Sequence, residues 1–423
     1  MPKEKMMPLP KMVRVRQHFP RKVVADVRQA VQSELEEIGG TSIIKSGETV
    51  AIGAGSRGIA NIDTAIKAVV DYLKDLGAKP FIFPAMGSHG GATAAGQKEV
   101  LHHYGISEET MQVPVQASME TAIMGETADG LPVFLDRYAS EADHVVPVNR
   151  VKSHTDFNGS VESGIMKMLG IGVGKQRGAN MYHRAFFRYG FEHVIMTAGG
   201  LLTESGKIGF AVALVENAYG ETAIVKAMPA DEIVSAEQQL LIQSKEIAAK
   251  LPFDKLDLLV IDWMGKNISG TGMDTNVIGR YMQNFEPEPE KPAYLRILVC
   301  DLTSESGGNA TGIGLADFTT GKLINKFNRE ATYMNCLTSL APQKSRLPFH
   351  FDTDREALEV ALDTIGLTQP QDAQTVRIED TLKLGEIDIS ESLLESANLF
   401  PSLEILGNPK DFEFDSNSNL LPF

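Results

Sequence analysis

The sequence predicts an α/β protein built from two mixed α/β domains, and three observations carry that expectation. Residues 48–89 read as strand, loop, helix and strand. A long apolar-striped helix over 229–251 then divides the chain. Beyond it, two apolar runs at 256–263 and 294–302 read as buried strands of a second domain. At 423 residues the chain is long enough for two or three cores of ordinary size. The expected boundaries are 1–228 for the first domain, 229–252 for a linker helix and 253–423 for the second domain.

Taken in order, residues 23–38 place Val24, Val27, Val31, Leu35 and Ile38 on one helical face, and Gly39-Gly40 stops the helix. Residues 48–53 form a short strand that runs into Gly53-Ala-Gly-Ser-Arg-Gly58. Asn61 is expected to cap the next helix, where Ile62, Ala65, Ile66, Val69, Val70, Leu73 and Leu76 recur at helical spacing. Gly77 ends it, and a second strand starts at Pro80. This βαβ unit implies a parallel sheet. His89 falls just past the carboxyl end of the second strand and Arg57 in the loop after the first, where ligands of open α/β sheets collect. A further apolar strand, 144–148, leads into a polar word ending at His154. Strands follow at 209–215 and 222–225. In the second half, residues 354–365 supply a helix, and the polar tail after Pro409 reads as a loosely packed end.

Composition narrows the function classes. With 43% hydrophobic and 22% charged residues, this is an ordinary globular composition. A net charge of −15 argues against nucleic-acid or anionic-membrane partners, which favour a basic face. Two cysteines, Cys300 and Cys336, make no disulfide framework. The N-terminus has no apolar signal segment and no run approaches a membrane span, so a cytoplasmic protein is expected.

Gly53 to Gly58 fits GxGxxG in the strand-to-helix context of a dinucleotide fingerprint. The acidic residue that would hold a ribose is missing after the second strand. Arg57 beside a helix start suits a phosphate group instead, so the loop reads as phosphate-binding and not NAD-binding. GIGVGK (170–175) is not a Walker loop. It lacks the earlier glycine and has Gln176 where magnesium needs Ser or Thr, so its glycines read as positions of close ligand approach. HExxH, CxxC and GxSxG are absent.

Three histidines stand in small-residue words: His89 in MGSHGGAT, His154 in NRVKSHTDFNGS and His183 in MYHRAFF, with Lys167 between the last two. Imidazole both exchanges protons near neutral pH and ligates borderline metals, so an active site is expected here. His102 and His103 read as solvated, and His18, His144, His193 and His350 as structural. Trp263 reads as core or cleft lining. Lys344 and Arg346, with Arg280, read either as solvated charges or as a second cationic anchor for a dicarboxylate or sugar acid.

Together these words resemble the nickel-dependent lactate racemase family, from Val50 to about Phe187 and on through MGKNISGTGMD (264–274). The resemblance implies two α/β domains joined by linker helices, with the site in the interdomain cleft and a covalently or tightly held nickel-pincer nucleotide. By position, it implies that Arg57 holds the cofactor phosphate, Lys167 anchors the cofactor and His183 ligates nickel. His89 and His154 become the acid/base pair, and Lys266, with Arg280, meets the substrate carboxylate. The implied activity is racemisation or epimerisation of a 2-hydroxy acid by reversible hydride transfer through a 2-keto acid. It further implies dependence on cofactor-maturation enzymes as partners. MGSHGGAT replaces an arginine-containing word of the lactate enzymes, and the interval from His154 to Lys167 is longer, which points to another substrate. The alternatives are a nucleotide-dependent oxidoreductase and a non-catalytic protein that binds a phosphate ligand.

Overall fold

In this computed structural model, residues 7–56 and 58–423 are described. The chain divides into two compact units. One comprises Pro20–His154 and Asn158–Ala248. The other takes the chain up to Phe19, Thr155–Phe157 and Ala249–Phe423. The first strand, β1 (Met12–Gln17), is therefore part of the C-terminal unit.

In the N-terminal unit, helix α1 (Val27–Glu37) starts at Asp26, whose carboxylate accepts the Gln29 N–H, and stops where Gly39 turns to φ 66°. Val24 lies ahead of the helix, its N–H bonded to the Thr222 carbonyl. The expected βαβ unit follows as β2 (Thr49–Ala54), α2 (Ile62–Asp75) and β3 (Lys79–Pro84), with β2 and β3 parallel in a register that sets Val50 opposite Pro80. Asn61 occupies the cap position of α2 but makes no cap bond. Its backbone is left-handed and its amide donates to the Thr222 hydroxyl instead.

Thr93 caps α3 (Ala94–His103), and a hairpin of β4 (Thr121–Glu126) and β5 (Pro132–Asp136) precedes β6 (His144–Arg150). One turn of helix, α4 (Ile165–Lys167), runs into a π-helical turn (Met168–Gly172), then into α5 (Lys175–Tyr189) and α6 (Phe191–Glu204). Strands β7 (Phe210–Glu216) and β8 (Thr222–Pro229) complete a sheet of order β3-β2-β6-β7-β8, parallel except for β8. Its strands interlock with α1 and α2 through Val31, Leu35, Ile52, Ile66, Val69, Val70, Val146 and Val148, all buried. Each such side chain contributes about 1.5–3 kcal/mol. Where a linker helix was expected over 229–252, the chain leaves β8, makes a short turn and forms α7 (Ile233–Ile247) within this unit.

The C-terminal unit is one sheet of order β12-β11-β10-β9-β13-β14-β1-β15. Strands β9 (Lys255–Met264), β10 (Ala293–Leu302), β11 (Phe318–Thr320), β12 (Phe349–Phe351) and β13 (Thr375–Ile378) pair in parallel. Strands β14 (Glu386–Ser390), β1 and β15 (Leu403–Ile405) continue antiparallel. Helix α8 (Asp354–Asp363) covers one face with Ala357, Leu358 and Ala361. The tail is packed, contrary to expectation. Phe412 and Leu420 are buried, Lys410 bridges Met12, and Arg377 donates to the Leu421 carbonyl.

Candidate active site

The parallel strands β2, β3 and β6 end on the same edge of the N-terminal sheet, and each hands the chain to one of the polar words. After β2 come Gly55 and Ser56. Gly55 has no room for a side chain, because a Cβ there would stand 2.4 Å from Asn149 Oδ1 of β6. After β3 comes the loop of His89, whose Nδ1 lies 2.7 Å from the Ser56 hydroxyl. His89 is half-buried, and its N–H bonds the Met86 carbonyl at 3.1 Å. The β2 and β3 words thus meet in one hydrogen bond.

After β6 the chain makes a loop closed by the Lys152 and Ser163 backbones. His154 lies inside it, buried, with its N–H on Glu162 Oε2 at 2.7 Å. Glu162 has a fully buried side chain and also accepts from Gly159 N–H at 3.2 Å and from the Lys245 ammonium of α7 at 2.5 Å. Nothing in the sequence word marked it, because its partner Lys245 is 83 residues away. Asn149 ties the far end of the loop to β6 by donating to the Gly164 carbonyl at 3.0 Å.

Lys167 ends α4, half-buried, just before the π-helical turn. Its turn is held from below by Glu237 of α7, which is fully buried and accepts the Met166 N–H at 2.8 Å. Burial pushes this carboxyl up to about 7, opposed by the Met166 and Ile165 N–H groups. His183 is half-buried on α5. A file of aromatic rings runs from His154 to His183. The ring of His154 lies 6.0 Å from Phe191, Phe191 stacks on Phe186 at 4.0 Å, and Phe186 lies 5.6 Å from His183. His89, His154, Lys167 and His183 all belong to the N-terminal unit.

Other expected residues fall elsewhere. Arg57 lies outside the described residues. The start of α2, read as a phosphate seat, has its Ala60 N–H taken by Glu216, which also pairs with Arg150. An acidic side chain there disfavours an anion at that N–H. The GIGVGK glycines admit the chain's own backbone: a Cβ at Gly172 would stand 2.6 Å from the Ala85 carbonyl. Lys266 lies in the C-terminal unit just past the carboxyl end of β9, donating to the Gly270 carbonyl at 2.5 Å and Asn335 at 2.8 Å. Arg280 is not brought to it. Its guanidinium binds Asp317 at 2.8 Å and the Tyr294, Leu295 and Leu315 carbonyls, at the amino end of β10. Lys344, for which solvation or an anchor was open, is buried against Asp156, whereas Arg346 is exposed. His102 and His103 are exposed as expected, and His144 pairs with Glu48. Among the described residues, no group of three or more His, Cys, Asp or Glu converges as metal ligands, and no helix is long and apolar enough to cross a membrane.

Fold and site together define an α/β protein with histidine-bearing loops gathered at the carboxyl ends of a parallel sheet. Residues 8–192, which hold all of those loops, match the lactate racemase N-terminal domain. The solved lactate racemase apoprotein from Thermoanaerobacterium thermosaccharolyticum is similar in fold, with a TM-score of 0.54 at 14% identity, over 91% of this chain and 95% of that one. No curated protein matches the chain.

Proposed function

We propose that the protein is a racemase or epimerase of a 2-hydroxy acid that works with a nickel-pincer nucleotide. One observation carries the reading: the His89 and His154 loops leave parallel strands on either side of β2, at the same sheet edge, within the stretch that matches the lactate racemase N-terminal domain.

The residues fit such a group by the chemistry of their donors. A metal carried on an organic pincer needs one imidazole from the protein and not a protein cage, and His183 offers it. Lys167 offers an amine for anchoring, half-buried at the mouth of the π-helical turn. At Gly58, with φ 58°, no described residue other than its chain neighbours stands within 4 Å of where a Cβ would be.

The hydrogen on carbon 2 of a 2-hydroxy acid is too weakly acidic for imidazole to remove as a proton. When bound, the cofactor supplies a hydride acceptor for that step. The chain's own work is proton transfer at the hydroxyl oxygen. With His89 Nδ1 engaged by the Ser56 hydroxyl, exchange falls to Nε2. His154, backed by Phe191 and clamped at its N–H by Glu162, does the same for the opposite enantiomer. General acid–base catalysis of this kind contributes about 10²–10⁴-fold.

The test is a chirality-resolved screen of 2-hydroxy acids, deuterated at carbon 2, on protein produced with the cofactor-maturation enzymes. Nickel content is measured in parallel. Racemisation with bound nickel is expected. His89→Ala and His154→Ala should each lower kcat at least about 10²-fold, and His183→Ala should chiefly deplete nickel. Full turnover in both of the first two variants overturns the acid/base roles. Absence of nickel together with tight NAD binding would favour an oxidoreductase.

A further inference from the structure

Lys175 belongs to the GIGVGK word, and no role above uses it. Its side chain has no solvent exposure, although it follows Gly174 directly at the start of α5 with a left-handed φ of 54°. Burying an ammonium is costly unless every donor finds a partner. Here the ammonium donates to the Pro84 carbonyl at 2.5 Å and to Gln97 Oε1 at 3.1 Å, and it is ion-paired with Asp136 Oδ2 at 3.0 Å. Asp136, at the end of β5, is equally buried. Burial pushes the lysine down and the carboxyl up, and each is opposed by the other's charge.

The acceptors are not scattered. Pro84 ends β3 five residues before His89. Gln97, fully buried on α3, turns its other end to the same loop: Nε2 donates to the Gly87 carbonyl at 2.8 Å and the His89 carbonyl at 3.3 Å. With Lys175 on Oε1, the orientation of this amide is fixed, since an ammonium cannot face an NH₂ group. Gly87 N–H is held from the other side by the Gly172 carbonyl at 2.9 Å, in the π-helical turn that precedes Lys175. The loop is thus gripped at Pro84 and at the Gly87 N–H by the segment that begins with the Lys167 turn, and at the Gly87 and His89 carbonyls by Gln97.

We propose that Lys175 is a positioning residue for His89: paired with Asp136, it acts through the Gln97 amide to hold the carbonyls of the His89 loop and so the imidazole against Ser56. The assignment of a reaction to His89 rests on the function proposed above, whereas the positioning itself does not. Bringing a base out of place by about 1 Å costs about 10²-fold in rate.

The test uses two variants of the full chain. Gln97→Leu removes the relay and leaves the ion pair. Lys175→Met with Asp136→Leu removes the pair together and leaves no lone buried charge. Nitrogen-labelled histidine spectra, with His89 assigned by its loss in His89→Gln, should show its ring resonances and titration midpoint displaced in both variants, and those of His154 and His183 unmoved. In the enzyme assay kcat should fall roughly 10–100-fold while KM changes by less than about threefold. His89 signals that superimpose on the wild type in Gln97→Leu, or equal displacement of all three histidines, would overturn the proposal. If the paired variant does not fold, Gln97→Leu decides alone. If the wild type racemises no 2-hydroxy acid, the functional reading fails, and the spectra still decide the positioning.

Discussion

Ser56 gives the smallest example of how this site is assembled. Its hydroxyl meets His89 Nδ1 at 2.7 Å, joining loops that are 33 residues apart. Ser56→Ala deletes one hydrogen bond to an imidazole, worth about 1–1.5 kcal/mol. Turnover should therefore drop about tenfold with little change in thermal stability, read from kcat and a melting curve. Glu237 gives a pH signature. Burial raises its folded-state value from 4.5 to about 7, so the native state holds this proton more tightly than the unfolded chain. Its contribution is full below about pH 4.5, declines as pH rises to about 7 and stays lost above that. The loss is on the order of 3 kcal/mol. Glu237→Gln should flatten this part of the pH dependence of urea unfolding between pH 5 and pH 8. An unchanged slope would mean that the carboxyl titrates normally.

At the scale of elements, the site depends on turns packed too closely for side chains. Gly164 opens α4 with extended backbone, so its need for glycine comes from contact and not from φ. A Cβ there would stand 2.2 Å from Glu237 Oε1 and 2.5 Å from its carboxyl carbon. Gly164→Ala must push Glu237 off the Met166 N–H and loosen the turn that carries Lys167. The expected outcome is a loss of about 1–3 kcal/mol, with faster hydrogen exchange at Met166 than at core strand amides. Much of this level was legible. The words after β2, β3 and β6 were found because strand periodicity stops at glycine-rich polar residues, and those words do stand at one sheet edge. Glu162, Glu237 and Gln97 were not legible. Each is a polar residue in an ordinary segment, and each has a partner on another element: Lys245 for Glu162, Met166 for Glu237 and the His89 loop for Gln97.

For the whole molecule, the C-terminal sheet shows how a buried charge depends on its partner. Arg377 of β13 and Asp262 of β9 form a two-pronged bond at 2.8 and 2.7 Å, both buried. Arg377→Met leaves the carboxylate alone and should cost about 3–5 kcal/mol in denaturant unfolding. Adding Asp262→Leu should recover most of that. If the single variant were as stable as wild type, the pair would carry no weight.

The sequence by itself determined the α/β class, the first βαβ unit, the burial stripe of α2 and the three histidine words. These follow from local periodicity and from glycine placed where chain direction changes. Only the tertiary structure decided the partners. It drew β1 from the amino terminus between β14 and β15, packed the tail through Phe412, turned Arg280 to Asp317 and enclosed Lys175 with Asp136. The physical reason is that a buried charge or an edge strand is stable only beside a complement. A complement distant in sequence leaves no periodic trace in either segment.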